Sequence, residues 1–166
     1  MTGWLTPAPR LYHLPVTNGG RVAVTLDDLI WVEDGRNVTL KRGFPTDGVS
    51  LPGIALALKF DPWGAALRSA LIHDAGYSLH DQRDLTLGDK ATVDRRFYNG
   101  LKLDQPDTAT LYYRAVRWFG WLAWHKANTA LMTGYIYAVR HGTEDEWIAH
   151  VLKTYAQGTI DLRAAE

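Results

Sequence analysis

The sequence contains no cysteine among its 166 residues. Disulfide bonds, thiolate catalysis and cysteine-ligated zinc or iron–sulfur centres are therefore excluded, and a metal would need histidine and carboxylate ligands. An excess of charge of either sign is also missing, because 18 basic and 18 acidic residues cancel. This balance argues against a broad surface for duplex nucleic acid or for an anionic membrane.

Long uncharged apolar runs are absent from the sequence as well. The most apolar stretch, Leu111–Val139, includes Arg114, Arg117 and Lys126, whereas a membrane-spanning helix needs about 18 or more residues nearly free of charge. The first residues do not combine a basic segment with an apolar one, so no secretory signal is expected. The sequence therefore predicts a protein that is made in a cytoplasm and has no transmembrane segment.

The first half of the chain predicts an antiparallel β meander over about residues 21–44. In Arg21–Leu26, polar and apolar residues alternate with the period of a half-buried strand. Asp34-Gly35 favours a tight turn between two of the strands, and Arg36 and Asn37 are expected to lengthen that loop. The predicted strands are Arg21–Leu26, Leu29–Val32 and Val38–Lys41.

The second half predicts a bundle of about four helices. Asp61-Pro62 favours a helix start, since aspartate can cap and proline suits the first helical position. Gly134–Val139 is short and β-favouring, and is predicted as a strand that returns to the sheet. The predicted helices are Asp61–Asp81, Thr86–Leu101, Thr108–Thr129 and Thr143–Tyr155, the second and fourth each opening on a capping box.

With 46% hydrophobic residues, the chain is long enough to build one ordinary core. We therefore predict an α+β fold with an N-terminal arm at residues 1–20, one domain at residues 21–156 and a C-terminal tail at residues 157–166. The arm is rich in proline and turn residues and is expected to be extended or an edge strand.

Polar residues on four separate predicted elements indicate a site. Asp47 lies in the Gly- and Pro-rich loop Gly43–Gly53, His73-Asp74 in the first predicted helix and Asp94 in the second. Arg117 follows in the third. We predict that these five side chains meet in one polar pocket, with Tyr77 and Arg114 as neighbouring groups. Arg95-Arg96 is interpreted as a solvated helix face.

Two interpretations of this pocket stay open. In the first, His73, Asp74 and Asp94 bind Zn²⁺, Mn²⁺ or Fe²⁺, another carboxylate acts as general base and an arginine stabilises an oxyanion. A usual HD phosphohydrolase pattern has further histidines near its doublet, whereas the nearest one here is His80. In the second interpretation, the same side chains form a buried hydrogen-bonded ion network that fixes the helices.

Four sequence blocks carry a family resemblance. The first is Thr46-Asp47-Gly48-Val49-Ser50-Leu51-Pro52, and the second is His73-Asp74-Ala75-Gly76-Tyr77. They are followed by Asp94-Arg95-Arg96-Phe97 and by Tyr113–Gly120 (YRAVRWFG). Together, and in this order, they resemble the signature of DUF1353, a domain-of-unknown-function family of tailed bacteriophages and prophages.

The resemblance implies a small phage-encoded α+β domain with no established reaction. It also makes a shared pocket of Asp47, His73, Asp74, Asp94 and Arg117 more plausible, because these are the polar members of the family's blocks. We expect a virion component, such as a tail or connector subunit, whose partners are other phage structural subunits. The alternative expectation is a metal-dependent hydrolase that acts on bacterial cell-wall peptidoglycan.

Overall fold

Two small antiparallel sheets precede five helices in the computed structural model, which describes residues 2–15, 22–46, 64–124 and 130–156. One sheet has the strand order β1-β4-β5 and the other the order β2-β3-β6. The six strands are β1 Gly3–Trp4, β2 Leu11–Leu14, β3 Val22–Thr25, β4 Leu29–Glu33, β5 Arg36–Leu40 and β6 Pro45–Thr46. The α+β fold class is thus confirmed.

The predicted single meander is divided between these two sheets. β3 pairs with β2 and β6, whereas β4 pairs with β1 and β5. β1 and β2 come from the region predicted as an arm, and each supplies an edge strand. The meander is divided because β4 pairs with β1 and β3 pairs with β2, and both partners precede the meander in the chain. The alternation of residues within one strand does not reveal such partners.

The β4–β5 hairpin has the minimal turn, so the predicted longer loop is wrong. Glu33 pairs directly with Arg36. Asp34 and Gly35 alone make the turn, with φ angles of 51° and 74°. Two consecutive residues with positive φ form the type I′ turn, whose twist matches that of the strands, so Arg36 and Asn37 continue the ladder.

Five helices are seen among the described residues, one more than predicted. Helix α2 is capped by the Asp89 side chain, which accepts a hydrogen bond of 2.7 Å from the Thr92 amide. The cap therefore lies three residues after the predicted one at Thr86. The proposed start at Asp61-Pro62 lies outside the described residues. The helices are α1 Leu67–Ser78, α2 Lys90–Asp104, α3 Pro106–Trp124, α4 Ala130–His141 and α5 Glu144–Ala156.

The predicted strand at Gly134–Val139 is wrong, because these residues belong to helix α4. Their β-favouring side chains recur at helical spacing, and the resulting apolar face packs against the sheets. Tertiary burial thus overrides a weak local preference. The buried residues of α4 are Leu131, Met132, Tyr135, Ile136 and Ala138.

The largest core cluster joins the β1-β4-β5 sheet to helices α1 and α4. It includes Leu29 and Leu40 from the sheet, Leu71 from α1 and Tyr135 from α4. A second cluster joins α1, α2 and α3. No helix in the described ranges is long and apolar enough to cross a membrane. The second cluster holds α1, α2 and α3 together, and polar side chains of these three helices meet beside it.

Candidate functional site

Asp94 lies at the centre of the polar cluster and its side chain is completely buried. It projects from α2 beside Val93 and Phe97, which are also buried. Helices α1 and α2 approach closely here because Gly76 has no side chain: a Cβ at this position would lie 2.5 Å from the methyl groups of Val93. The apolar neighbours of Asp94 on α2 thus help to bury its carboxylate. Gly76 on α1 permits the close contact between the two helices.

Helix α1 provides two donors to one oxygen of Asp94. His73 Nε2 lies 3.2 Å from Asp94 Oδ1, and the Tyr77 hydroxyl donates to the same oxygen at 2.7 Å. Four residues separate His73 from Tyr77, so both side chains lie on the same face of α1. Their rings are in contact, with centroids 4.1 Å apart.

Two cationic groups occupy the other oxygen of Asp94. Lys90 Nζ donates to Oδ2 at 2.8 Å from one turn earlier on α2. Arg117 Nη1 donates to it at 3.1 Å from α3. The carboxylate thus accepts from four side chains on three helices, and both of its oxygens are satisfied.

The titration of Asp94 follows from these contacts. Burial opposes its ionisation, but hydrogen bonds from His73, Lys90 and Tyr77 lower the pKa of Asp94 to about 2. Burial and the hydrogen bond to Asp94 raise the pKa of Tyr77, so its phenol stays protonated. Asp94 is therefore an anion held among donors.

His73 lies between two carboxylates. Its Nε2 faces Asp94, and its Nδ1 is 3.7 Å from Asp74 Oδ1, which is an ion-pair distance but too long for a hydrogen bond. Burial disfavours the imidazolium, but Asp74 and Asp94 outweigh burial and raise the pKa of His73. The ring also packs on Phe97, with centroids 4.7 Å apart.

One side of the cluster reaches solvent. The side chain of Asp74 is 29% exposed and that of Arg117 is 44% exposed, in contrast to fully buried Asp94. Arg114 is exposed as well. The arrangement can therefore present a carboxylate and a guanidinium edge at the surface, whereas the imidazole of His73 is buried beside them.

The structure brings together four of the five predicted site residues. His73, Asp74, Asp94 and Arg117 share the cluster, whereas Asp47 lies outside the described residues. His80 belongs to the end of α1, where its Nδ1 lies 2.8 Å from the Tyr77 carbonyl oxygen. The catalytic role of the predicted set stays a prediction.

Metal binding by His73, Asp74 and Asp94 also stays a prediction. Within the described ranges, no group of three or more histidine, aspartate and glutamate side chains is arranged to hold a metal ion. Both oxygens of Asp94 already accept from protein donors. Of the three side chains, Asp74 is the one with a solvent-facing carboxylate.

Sequence reasoning missed Lys90. The signal was present, because lysine and aspartate four residues apart on a helix commonly pair. The sequence could not show that the carboxylate paired with Lys90 is also contacted by side chains of α1 and α3.

The interpretation of Arg95-Arg96 as a solvated face is wrong for Arg96. Its side chain is buried and donates through Nε to Glu33 Oε2 at 3.0 Å and through Nη1 to the Leu87 carbonyl oxygen at 2.6 Å. Nη2 contacts the other oxygen of Glu33, and Trp31 Nε1 donates to Glu33 Oε2 at 2.9 Å. Arg96 lies two residues after Asp94 and so leaves α2 in another direction, towards the β1-β4-β5 sheet.

Comparison with known proteins places this cluster in a family. No curated protein and no solved structure matches the chain. The family model described as "Protein of unknown function (DUF1353)" matches residues 24–123. This range includes every member of the Asp94 cluster, which consists of His73, Asp74, Tyr77, Lys90, Asp94 and Arg117. Because the match covers more than half of the 166 residues, this chain belongs to the DUF1353 family.

Proposed function

We propose that this chain is a bacteriophage-encoded virion component, a tail or connector subunit, in which the Asp94 cluster fixes three helices to one another. The single observation that carries the structural role is the closed hydrogen bonding of Asp94. Four donors from three helices use both of its oxygens. A buried carboxylate that is fully paired holds its surroundings in one arrangement, because each alternative packing leaves charges without partners.

The phage context is supported by the four sequence blocks that resemble DUF1353. Three of those blocks, on α1, α2 and α3, supply the polar side chains of the cluster other than Lys90. Internal bracing of this kind would help a subunit to keep its shape within a particle. The proposal assigns its partners as other structural subunits of the phage.

Mass spectrometry of purified particles tests the proposal. Particles of the phage that encodes the chain are purified by density gradient, and the chain is quantified against the major tail and head proteins. We expect a fixed number of copies per particle that survives a high-salt wash. Absence from washed particles, with the chain present in the infected-cell lysate, overturns the virion assignment.

A second function is favoured by the solvent-facing side of the cluster. We propose as the alternative a metal-dependent hydrolase of bacterial cell-wall peptidoglycan. His73 is held between two carboxylates and Asp74 reaches solvent beside it, so both could contribute ligands to Zn²⁺, Mn²⁺ or Fe²⁺. A bound divalent ion supplies Lewis acidity and an activated water. Asp94 would orient the His73 ring through Nε2, and Arg117 would face developing negative charge.

Elemental analysis and a turbidity assay on purified cell walls separate the two functions. Protein purified without chelator is compared with the Asp74→Asn variant, which keeps the buried Asp94 pairing, and with the Asp107→Asn surface control. The hydrolase alternative expects bound metal and wall clearing that Asp74→Asn alone removes. Absence of bound metal and of clearing in the parent protein overturns the hydrolase alternative, and equal clearing with equal metal content in all three proteins overturns its assignment to Asp74.

A further inference from the structure

The outer surface of helices α2 and α3 is rich in positive charge. From Lys90 to Leu103 and from Thr108 to Trp124 the sequence contains a single acidic residue, Asp94, and its side chain is buried. The basic residues of the same two stretches are Lys90, Arg95, Arg96, Lys102, Arg114 and Arg117. Because the whole chain has no net charge, this helix pair concentrates a positive potential that the rest of the molecule balances.

Four of these basic side chains reach solvent. Arg95, Lys102 and Arg114 are exposed, and the side chain of Arg117 is 44% exposed. Arg95 and Lys102 are about 10 Å apart along α2, at 1.5 Å per residue. Arg114 and Arg117 lie three residues apart, so they share one side of α3. Each helix therefore presents two exposed cations.

Two tyrosine rings lie between the cations of α2 and those of α3. The ring centroids of Tyr98 on α2 and Tyr113 on α3 are 4.8 Å apart, with 36° between the ring planes. Both side chains are half-buried and pack on the cluster that joins α1, α2 and α3. Lys102 Nζ lies 4.7 Å from the centroid of Tyr98, and Arg117 is one helical turn after Tyr113. The α2–α3 face, as we call this surface, consists of Arg95, Tyr98, Lys102, Tyr113, Arg114 and Arg117.

The exposed carboxylates of the two helices stand at their beginnings. Asp89 caps α2 and Asp107 lies in the first turn of α3, and both are exposed. Between Arg95 and Lys102, and between Tyr113 and Arg117, the sequence has no acidic residue. The middle of the α2–α3 face therefore pairs aromatic rings with cations alone.

The exposed leucines of the two helices lie on other sides. Leu103 is 57% exposed and Leu111 is 45% exposed. At 3.6 residues per turn, Leu103 is about 140° around α2 from Tyr98, and Leu111 is about 160° around α3 from Tyr113. A helix that lies on a membrane buries an apolar face in the lipid. Among the described residues, no large exposed aliphatic side chain stands between the cations of the α2–α3 face, so a membrane is a poor match.

Aromatic rings flanked by cations match a flexible chain that carries both planar groups and negative charge. Single-stranded nucleic acid has this composition, because its bases stack on aromatic side chains while its phosphates contact lysine and arginine. A duplex stacks its bases on one another, so their faces are closed to a protein ring. Polyphosphate supplies the same negative charge without any base.

We propose that the α2–α3 face binds single-stranded nucleic acid. Tyr98 and Tyr113 stack on bases, and the four exposed cations contact phosphates. The flexible stem of Lys102 lets its ammonium group leave the Tyr98 ring for a phosphate when a base stacks there. The face is a narrow strip, unlike the broad duplex surface that the balanced charge argues against, and it does not depend on the virion assignment.

Fluorescence anisotropy with labelled oligo(dT) and oligo(rU), over a series of salt concentrations, tests the cations. The variant Lys102→Gln/Arg114→Gln is compared with the control Arg36→Gln/Lys153→Gln, which makes the same charge change at exposed residues of β5 and α5. Each lost phosphate contact lowers the slope of log K against log salt by about 0.7. We expect a slope reduced by about 1.4 in the first variant and unchanged in the control. Arg117 is kept, because it also holds Asp94.

Two variants of Tyr98 test the stacking. Tyr98→Leu should weaken oligonucleotide binding about tenfold, whereas Tyr98→Phe keeps the ring and should bind as the parent does. Calorimetry with polyphosphate provides the comparison without bases, and we expect Tyr98→Leu to leave that affinity unchanged. Circular dichroism and thermal unfolding check the fold of each variant, and the exposed Lys102 and Arg114 test the face independently of the tyrosine.

Four results overturn the proposal. They are the absence of oligonucleotide binding at low salt, a control double variant that weakens binding as much as Lys102→Gln/Arg114→Gln, binding of duplex as tight as that of single strands, and phosphatidylserine vesicles that bind and are not displaced by oligonucleotide. Tighter binding of oligo(dT) supports a DNA ligand, and tighter binding of oligo(rU) supports RNA. Particle mass spectrometry is unaffected by any of these results, so the two proposals fail separately.

Discussion

Helix α2 carries two buried ion-pair centres that differ in how their charge is shared. Asp94 is a buried anion among four donors, two of which, Lys90 and Arg117, reach solvent. Arg96 is a buried cation with one carboxylate partner, Glu33, and one backbone carbonyl. The first centre joins helix to helix, and the second joins helix to sheet.

The difference indicates which side chains can be removed from each centre at a small cost in stability. When one donor to Asp94 is lost, three donors remain to pair the buried carboxylate. When Glu33 is lost, the buried Arg96 keeps no anionic partner. Removal of Asp94 itself leaves two cations and a histidine facing one another, which is the most costly change in either centre.

Asp94→Asn is expected to have the largest effect. The free energy of unfolding should fall by about 3–5 kcal/mol, the range for breaking a buried charge pair by removing one partner. Urea unfolding followed by tryptophan fluorescence measures it. The control Asp107→Asn, on an exposed residue of the first turn of α3, should lower stability by no more than about 1 kcal/mol, the contribution of a first-turn carboxylate to a helix. Equal losses in the two variants would contradict the central position of Asp94.

Arg96→Lys should have the next largest effect. A lysine cannot reproduce the forked contact with Glu33 together with the bond to the Leu87 carbonyl oxygen, so we expect a loss of about 2 kcal/mol. The adjacent Arg95→Lys provides the control, because Arg95 is exposed. A loss in Arg95→Lys that matches the one in Arg96→Lys would show that Arg96 has no special role.

Gly76→Ala tests the close approach of α1 and α2 without changing a charge. The new methyl group overlaps Val93, and overpacking of this kind costs about 1–3 kcal/mol, partly offset by the better helix propensity of alanine. The double variant Gly76→Ala/Val93→Ala removes the overlap. We expect its chemical-shift pattern at His73 and Tyr77 to return towards that of the parent. A single variant as stable as the parent would indicate that the helices can separate without cost.

The dependence of stability on pH is the smallest expected effect. Because the pKa of His73 is raised above 6.5 in the folded state, its contribution is complete below pH 6.5 and is lost as the pH rises through the folded-state pKa. The pKa of Asp94 is lowered from 3.8 to about 2, so its contribution is present above pH 3.8 and is lost as the pH falls towards 2.

Urea unfolding at a series of pH values measures both contributions. The His73→Asn variant should lose the decline on the alkaline side and keep the decline on the acid side. A parent protein whose stability does not fall above pH 6.5 would show that His73 is not held by its two carboxylates.

The partial success of the sequence prediction follows from the range of the interactions involved. Val93, Phe97 and Leu101 recur on one face of α2 and are buried, and this local periodicity is why a helix carrying Asp94 could be predicted from the sequence. The predicted strand at Gly134–Val139 was wrong, because residues such as Tyr135 and Ile136 suit a strand or a buried helix equally well. The prediction of a solvated Arg96 was wrong, because the sequence Arg95-Arg96 does not indicate which of the two arginines contacts a carboxylate.

The sequence by itself determined the α+β class, the position of His73-Asp74 on a helix and the family of the chain. These properties depend on local periodicity and on residue blocks that are read along one segment. Only the tertiary structure decided that Lys90 shares Asp94 with His73, that Arg96 faces Glu33 and that β4 pairs with β1 as well as with β5. Each of these depends on which distant element packs alongside, and that choice is made by the burial of whole faces rather than by any single stretch of residues.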